Sequence, residues 1–334
     1  MLALYEKEFT VRKIVIPIIT TPLIYLAIAL TLVYIPIERN NPGLGLDFDV
    51  LDKDGFSTKI AEERSYITRN DRKLFYRTIE GGSDITIVLL HGSGSEGRYL
   101  IPLANKLNYK SNVTVVIPDL RGHGRSQGEF PGDVDYLGQL EHDLEDLLIH
   151  MRSSSPSHRF VIGGHSSGGG LAVKYGGNNL TQFNGAILLA PYLGHQAPTV
   201  RPNSGGWVQV AMFRYAGLAM LNNIGITYLN DKSVLFFNRP LGVTDDLQVD
   251  SYSYRLNESF SPQEYEADLL KYKKPILLLV GEDDEAFYPQ AYKLVMENNA
   301  PHAELHILED TKHLDLVSSD KTAELIVEWL KQAF

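Results

Sequence analysis

The sequence predicts an α/β fold, a mostly parallel, doubly wound sheet with helices on both faces. Three observations predict it. Short, near-continuous runs of apolar and β-branched residues recur at 85–90, 113–117, 160–162, 186–190, 275–280 and 304–308. Strands buried on both faces by helices read this way. Between the runs lie helical patterns: Leu137, Leu140, Leu144, Leu147, Leu148 and Met151 recur at three and four residues, with Glu141, Asp143, Glu145 and Asp146 on the other face. Finally, the stretch 159–170 passes from a buried strand into a helix through Gly164-His165-Ser166-Ser167-Gly168.

The elements follow in order. From residue 14 to residue 37 no side chain is charged, and Ile, Leu, Val, Ala and Tyr dominate. About 20 apolar residues cross a bilayer as a helix, so the run is long enough. Its exit, Tyr34-Ile35-Pro36-Ile37-Glu38-Arg39, offers no small-x-small cleavage site. The expectation is therefore an uncleaved single-pass membrane anchor through residues 14–37, favoured over a signal peptide or a buried core helix. Lys7, Arg12 and Lys13 precede the run, which directs the amino terminus to the cytoplasm and the following domain to the extracytoplasmic side. Residues 40–45, broken by Pro42 and two glycines, read as a linker.

Residues 60–68 and 73–79 enclose Arg69-Asn70-Asp71-Arg72 and predict an edge hairpin. The alternation of strands with helices over 99–107, 137–151 and 321–332 then implies right-handed crossovers. Residues 194–262 interrupt it and are too long for an ordinary connection, so they should form an insertion with its own structure. The expected organisation is an anchor and linker over 1–45, a core in two parts over 46–194 and 263–334, and a helical lid over 195–262.

Composition narrows the function. With 44% hydrophobic and 22% charged residues among 334, the chain is globular. A net charge of −10 without any basic block argues against nucleic acid as a partner. The absence of cysteine removes disulfides, thiolate metal sites and a cysteine nucleophile.

The Gly-x-Ser-x-Gly stretch carries the chemistry. A serine on a sharp strand-to-helix turn is held in a strained conformation, and glycines two residues to either side leave room for the turn. The helix beyond points unpaired N–H groups at negative charge developing on the serine's target. Ser166 is thus the candidate nucleophile. It needs a base, an acid to orient the base and oxyanion donors, each at the carboxyl end of a strand. The acid should lie in Glu282-Asp283-Asp284-Glu285, after the strand at 275–280, although four carboxylates also suit a solvated loop or a hard-cation site. His313 lies in the loop after the next strand, whereas His306 falls within that strand and His302 precedes it. Ser93 and Ser167 backbone N–H groups are the candidate oxyanion donors.

Taken together, Gly164-His165-Ser166-Ser167-Gly168, the His91-Gly92 loop, the run Asp119-Leu120-Arg121-Gly122-His123-Gly124-Arg125-Ser126 and the order Ser, Asp, His resemble the α/β-hydrolase superfamily. The nearest branch is the monoacylglycerol lipase, lysophospholipase and serine-aminopeptidase-like group, over roughly residues 84–333. The resemblance implies the α/β-hydrolase fold, Ser166 as nucleophile, His313 as general base and Asp284 as acid, the last because the family's acid follows a strand-Gly-x-x-Asp pattern. It implies no metal and no cofactor. Prolyl-aminopeptidase relatives carry Gly-Gly-Ser-Trp-Gly at the nucleophile, from which this chain departs.

The expected function is a membrane-anchored serine hydrolase that cleaves carboxylic esters of lipid-like acyl chains. A serine aminopeptidase, an acyltransferase and a non-catalytic binding protein on the same fold are the rivals. Trp207, Phe213 and Leu218, from a segment in which Arg214 is the one charge between 202 and 230, are expected to wall the substrate site.

Overall fold

The structure is a computed structural model that describes residues 20–39, 46, 61–126, 128–178, 182–239 and 247–334. Two strands, β1 (Glu62–Ile67) and β2 (Lys73–Ile79), form the expected antiparallel hairpin. They are followed by β3 (Ile85–Leu90), β4 (Thr114–Pro118), β5 (Arg159–His165) and β6 (Gly185–Leu189). Three short strands, β7 (Val208–Val210), β8 (Ser233–Phe237) and β9 (Ser251–Ser253), precede β10 (Ile276–Gly281) and β11 (Glu304–Leu308). The main sheet has the order β1-β2-β4-β3-β5-β6-β10-β11. Every pairing from β4 to β11 is parallel. Every residue of β3, β4, β6 and β10 is buried, because helices cover both faces.

The helices, in chain order, are α1 (residues 20–34), α2 (Ile101–Ser111), α3 (Gln139–Ser154), α4 (Ser167–Asn178), α5 (Met212–Asn223), α6 (Tyr254–Phe260), α7 (Tyr265–Lys271), α8 (Pro289–Asn299) and α9 (Asp320–Ala333). In α3, Leu140, Leu144, Leu147, Leu148 and Met151 are buried, as their spacing predicts. Because β3, β5, β6, β10 and β11 run parallel, their carboxyl ends share one edge of the sheet. That edge carries the loops after Leu90, His165, Gly281 and Leu308, and so every candidate triad and oxyanion group.

The 119–126 loop beside this edge is held by buried charge. Asp119 accepts hydrogen bonds from Arg77 (2.6 Å), Gly97 N–H (3.0 Å) and Arg125 N–H (3.0 Å). Arg121 forks onto both oxygens of Asp143, at 2.7 Å each.

The segment expected to be a helical lid has strands as well as helices. β7, β8 and β9 form a small antiparallel sheet. The residues of β8 alternate between two apolar clusters: Val234 faces one that holds Leu218 and Leu221, while Leu235 and Phe237 face the main core. A two-sided burial of this kind needs a strand at the centre of the segment.

The amino-terminal expectation is corrected. Among the described residues no helix is long and apolar enough to cross a membrane. The single-pass anchor at 14–37 and the extracytoplasmic placement built on it therefore fall; residues 14–19, the basic residues before them and the linker 40–45 lie outside the described part. The described part of α1, residues 20–34, is about 22 Å of helix, against a hydrocarbon core of about 30 Å. One face of α1 has a protein partner. Ala29 and Val33, four apart on one face, are fully buried against Leu218, Leu221, Val234 and Tyr254. Gly217 permits the approach, since a Cβ there would lie 2.6 Å from Ala29 O and 2.8 Å from Val33 N. Arg214 donates to Val33 O (3.2 Å) and Ser233 O (2.9 Å), so the one charge of the apolar stretch neutralises the carboxyl end of α1 and ties it to β8.

Candidate active site

Ser166 lies at the junction of β5 and α4 with φ of 55°. A non-glycine residue in the left-handed region is strained, and the surroundings must hold it there. They do so through three backbone bonds: Ser166 N–H donates to Leu189 O (2.9 Å), and Ser166 O accepts from Gly170 N–H (3.1 Å) and Tyr192 N–H (2.9 Å). The flanking glycines are steric requirements. A Cβ on Gly164 would strike the Gly168 carbonyl group, and one on Gly168 would strike the Leu90 and His91 carbonyls.

His313 is completely buried after β11. Its Nδ1 donates to Asp284 Oδ2 at 2.8 Å, while its Nε2 finds no partner among the described residues. Asp284, buried after β10, accepts Ala286 and Phe287 N–H groups on Oδ1, each at 2.8 Å. Burial lowers the affinity of His313 for a proton, but the carboxylate of Asp284 outweighs it and raises the pKa above the ordinary histidine value. For Asp284 burial works upward, yet the His313 charge and the hydrogen bonds from His313, Phe287 and Ala286 hold its carboxyl below the usual range. Glu285 accepts the His313 N–H (3.0 Å), whereas Glu282 and Asp283 are exposed. The run 282–285 therefore divides into two carboxylates turned toward His313 and two turned to solvent. Among the described residues no cluster of His, Asp and Glu is arranged to hold a metal ion.

Ser166 and His313 line one cleft of about 500 Å³ together with Ser93, Ser167, Tyr192, Trp207, Val208, Leu235, Phe260 and Phe287. Both candidate oxyanion residues are thus brought to Ser166. Ser93 N–H and Ser167 N–H donate to no described residue. Of the three expected wall residues the structure brings in only Trp207. Phe213 is 60% exposed on the outer face of α5, and Leu218 is fully buried against α1. They share the apolar character of a wall but face away from the cleft. The sequence reading also missed Tyr99 and Tyr252, whose hydroxyls accept the Gly92 and Gly94 N–H groups; Tyr252 also lines the cleft. No local pattern marks Tyr252, whose partner is 158 residues away.

This geometry can support acyl transfer through a serine, and comparison with known proteins agrees. A family model described as serine aminopeptidase, S33, matches residues 82–317. Proline iminopeptidase of Saccharolobus solfataricus is 25% identical over 279 residues, 76% of this chain and 87% of that one. Monoglyceride lipase of Rattus norvegicus is 29% identical over 157 residues, 46% of this chain and 48% of that protein. Among solved structures, monoacylglycerol lipase of Paleococcus ferrophilus superposes with a TM-score of 0.60 at 18% identity, over 78% of this chain and 99% of that one. A soluble variant of the monoglyceride lipase from Saccharomyces cerevisiae does so with a TM-score of 0.59 at 18% identity, over 83% and 96%. The protein is an α/β-hydrolase, a serine hydrolase. Within that class the chain belongs to the serine aminopeptidase, S33, family.

Proposed function

We propose that the protein hydrolyses carboxylic esters of lipid-like acyl chains, with Ser166 as nucleophile, His313 as general base and Asp284 as the acid that orients it. The observation that carries this reading is the buried His313, with Nδ1 held by Asp284 and Nε2 without a partner among the described residues, in the same cleft as Ser166. Ser166 Oγ attacks the ester carbonyl while His313 Nε2 takes its proton. The oxygen of the tetrahedral intermediate becomes negative and is held by the N–H groups of Ser93 and Ser167. His313 then protonates the departing alcohol, leaving Ser166 acylated. Water loses a proton to His313 as it attacks the acyl-enzyme, and the carboxylic acid leaves with Ser166 restored.

The apolar wall supports an acyl group. Val208, Leu235, Phe260 and Phe287 face the cleft, with Tyr192 and Trp207 beside them. Each buried methylene contributes about 0.8 kcal/mol, so four added carbons gain up to about 3 kcal/mol inside such a wall. The test is kcat/KM across p-nitrophenyl esters together with fluorophosphonate labelling. We expect a rise from acetyl to medium-chain esters and no label in Ser166→Ala. A profile that declines from acetyl onward defeats the lipid-like assignment.

One observation keeps an aminopeptidase as the second reading. Glu258 lines a hollow of about 620 Å³ that shares Tyr192, Leu235, Asn257 and Ser261 with the cleft. A carboxylate there suits a substrate amine, but Glu258 Oε1 already accepts the Tyr215 hydroxyl at 2.7 Å. Turnover of aminoacyl amides above that of esters, abolished in Glu258→Gln, would put this reading first.

A further inference from the structure

The hydrogen bonds that hold the His91–Gly94 loop form a pattern that the triad does not use. Gly92 N–H donates to the Tyr99 hydroxyl (2.7 Å), and the same hydroxyl lies 3.0 Å from His165 Nδ1. Gly94 N–H donates to the Tyr252 hydroxyl (2.8 Å), which lies 2.6 Å from His123 Nε2. A phenol has one proton. Having accepted an amide, each hydroxyl donates that proton to its histidine, whose nitrogen must then carry a lone pair. The far side of each ring agrees: His165 Nε2 lies 3.1 Å from His313 O, and His123 Nδ1 lies 3.1 Å from Arg121 O. Carbonyls accept only, so those nitrogens hold the N–H, and both histidines are neutral in one fixed tautomer. Complete burial favours this, pushing both imidazoles well below the ordinary pKa.

We propose that Tyr99 and Tyr252 are positioning residues that hold the peptides on either side of the Gly92–Ser93 peptide, so that the Ser93 N–H, which donates to no described residue, faces Ser166. The proposal rests on the reading of Ser93 N–H as an oxyanion donor. The intervening peptide is fixed from a third direction, because the His91 ring N–H donates to Gly92 O (2.9 Å) and the Ser93 N–H of that peptide points the opposite way. The clamp has two owners. Tyr99 precedes α2 in the core, whereas Tyr252 belongs to β9 of the inserted segment. That segment adds Val249 N–H and the Arg239 guanidinium on Gly94 O, and Trp207 Nε1 on Ser93 Oγ (3.2 Å). The segment over the cleft thus fixes the oxyanion loop as well as walling the substrate, and its placement becomes a condition of turnover.

Tyr99→Phe and Tyr252→Phe keep the ring and remove only the hydroxyl. The measurements are kcat and KM on a medium-chain ester, the affinity for an alkyl trifluoromethyl ketone, which adds to the serine as an oxyanion, and Tm. Loss of a whole oxyanion donor costs about 10²–10³ in kcat; a donor merely released from its orientation should cost about tenfold. We expect that loss in kcat and an equal loss of ketone affinity, with KM unchanged. Undiminished kcat and ketone affinity beside a lowered Tm would overturn the proposal, because the hydroxyls would then support the fold alone. A raised KM at unchanged kcat would also overturn it. If Tyr252→Phe does not fold, Tyr99→Phe decides. Ser166→Ala separates the two levels: a fluorophosphonate label retained there defeats the nucleophile assignment, whereas its loss beside fully active phenylalanine variants defeats only the clamp.

Discussion

Replacing Asp284 by asparagine tests the proposed chemistry with almost no change of shape. Asp284 Oδ1 accepts two backbone N–H groups at 2.8 Å, from Ala286 and Phe287. Two donors demand an acceptor, so the amide oxygen of an asparagine must take that position. The amide nitrogen is then forced into the place of Oδ2, 2.8 Å from His313 Nδ1. There it donates, and Nδ1 must accept. The imidazole proton moves to Nε2, the nitrogen required to take the proton of Ser166. The residue is present, buried and correctly placed, but in the wrong tautomer. The corresponding change in a serine protease lowers turnover by about 10⁴, and a similar loss in kcat is expected here. The assay is steady-state ester hydrolysis, with the rate of fluorophosphonate labelling as an independent measure of serine reactivity. Asp283→Asn is the internal control, since that side chain is exposed and should leave kcat near the wild-type value. A fast Asp284→Asn enzyme, or a crippled Asp283→Asn enzyme, would refute the reasoning.

Two further predictions follow from particular contacts. Because the proposed base His313 acts in its neutral form and Asp284 raises its pKa, kcat/KM should fall as pH drops through a value above the ordinary one for histidine. In Asp284→Asn the opposing effect of burial remains, so this limb of the profile should move to lower pH; a limb that stays in place would separate the titration from His313. At the crossing of α1 and α5, Gly217→Ala should gain about 1 kcal/mol of helix propensity on its own. The new Cβ would lie 2.6 Å from Ala29 O and 2.8 Å from Val33 N, and such overpacking costs about 1–3 kcal/mol. A lowered Tm with faster proteolysis within residues 20–34 is expected, and a raised Tm would show that α1 does not pack on Gly217.

The legible parts of this molecule are those whose cause is local. A strand covered on both faces must be apolar throughout, so β3, β4, β6 and β10 announce themselves. Gly164 and Gly168 are required by backbone atoms next to Ser166, and that requirement is visible as a five-residue spacing. The acid was harder. Four consecutive carboxylates look alike in a sequence, and what separates Asp284 from Asp283 is which side of the turn each faces. The tyrosines that hold the His91–Gly94 loop could not be read at all. Their hydrogen bonds join residues 7 and 158 positions apart, and a buried phenol has the same local signature as any other aromatic core residue.

The anchor and the misplaced wall residue Leu218 share one physical origin. An apolar side chain states that it will leave water, and leaves open what it will leave water for. The run through residues 20–34 meets the composition of a membrane span, and Leu218 and Phe213 meet that of a substrate wall. In the structure Leu218 is instead a partner of Ala29 and Val33, so part of each expectation was the other half of the same interface. The discriminating information was size. Where two helices cross closely, the contact needs residues without bulk, and here Ala29 meets Gly217. The pairing could be seen only after the crossing placed these residues together, because neither the 20–34 run nor the 212–223 helix shows alone which of its faces will be covered. Leu23, Ile24 and Ile28 are exposed on the same helix that buries Ala29 and Val33 completely. Burial is decided by the approach of a second helix, and an average over the run erases the difference.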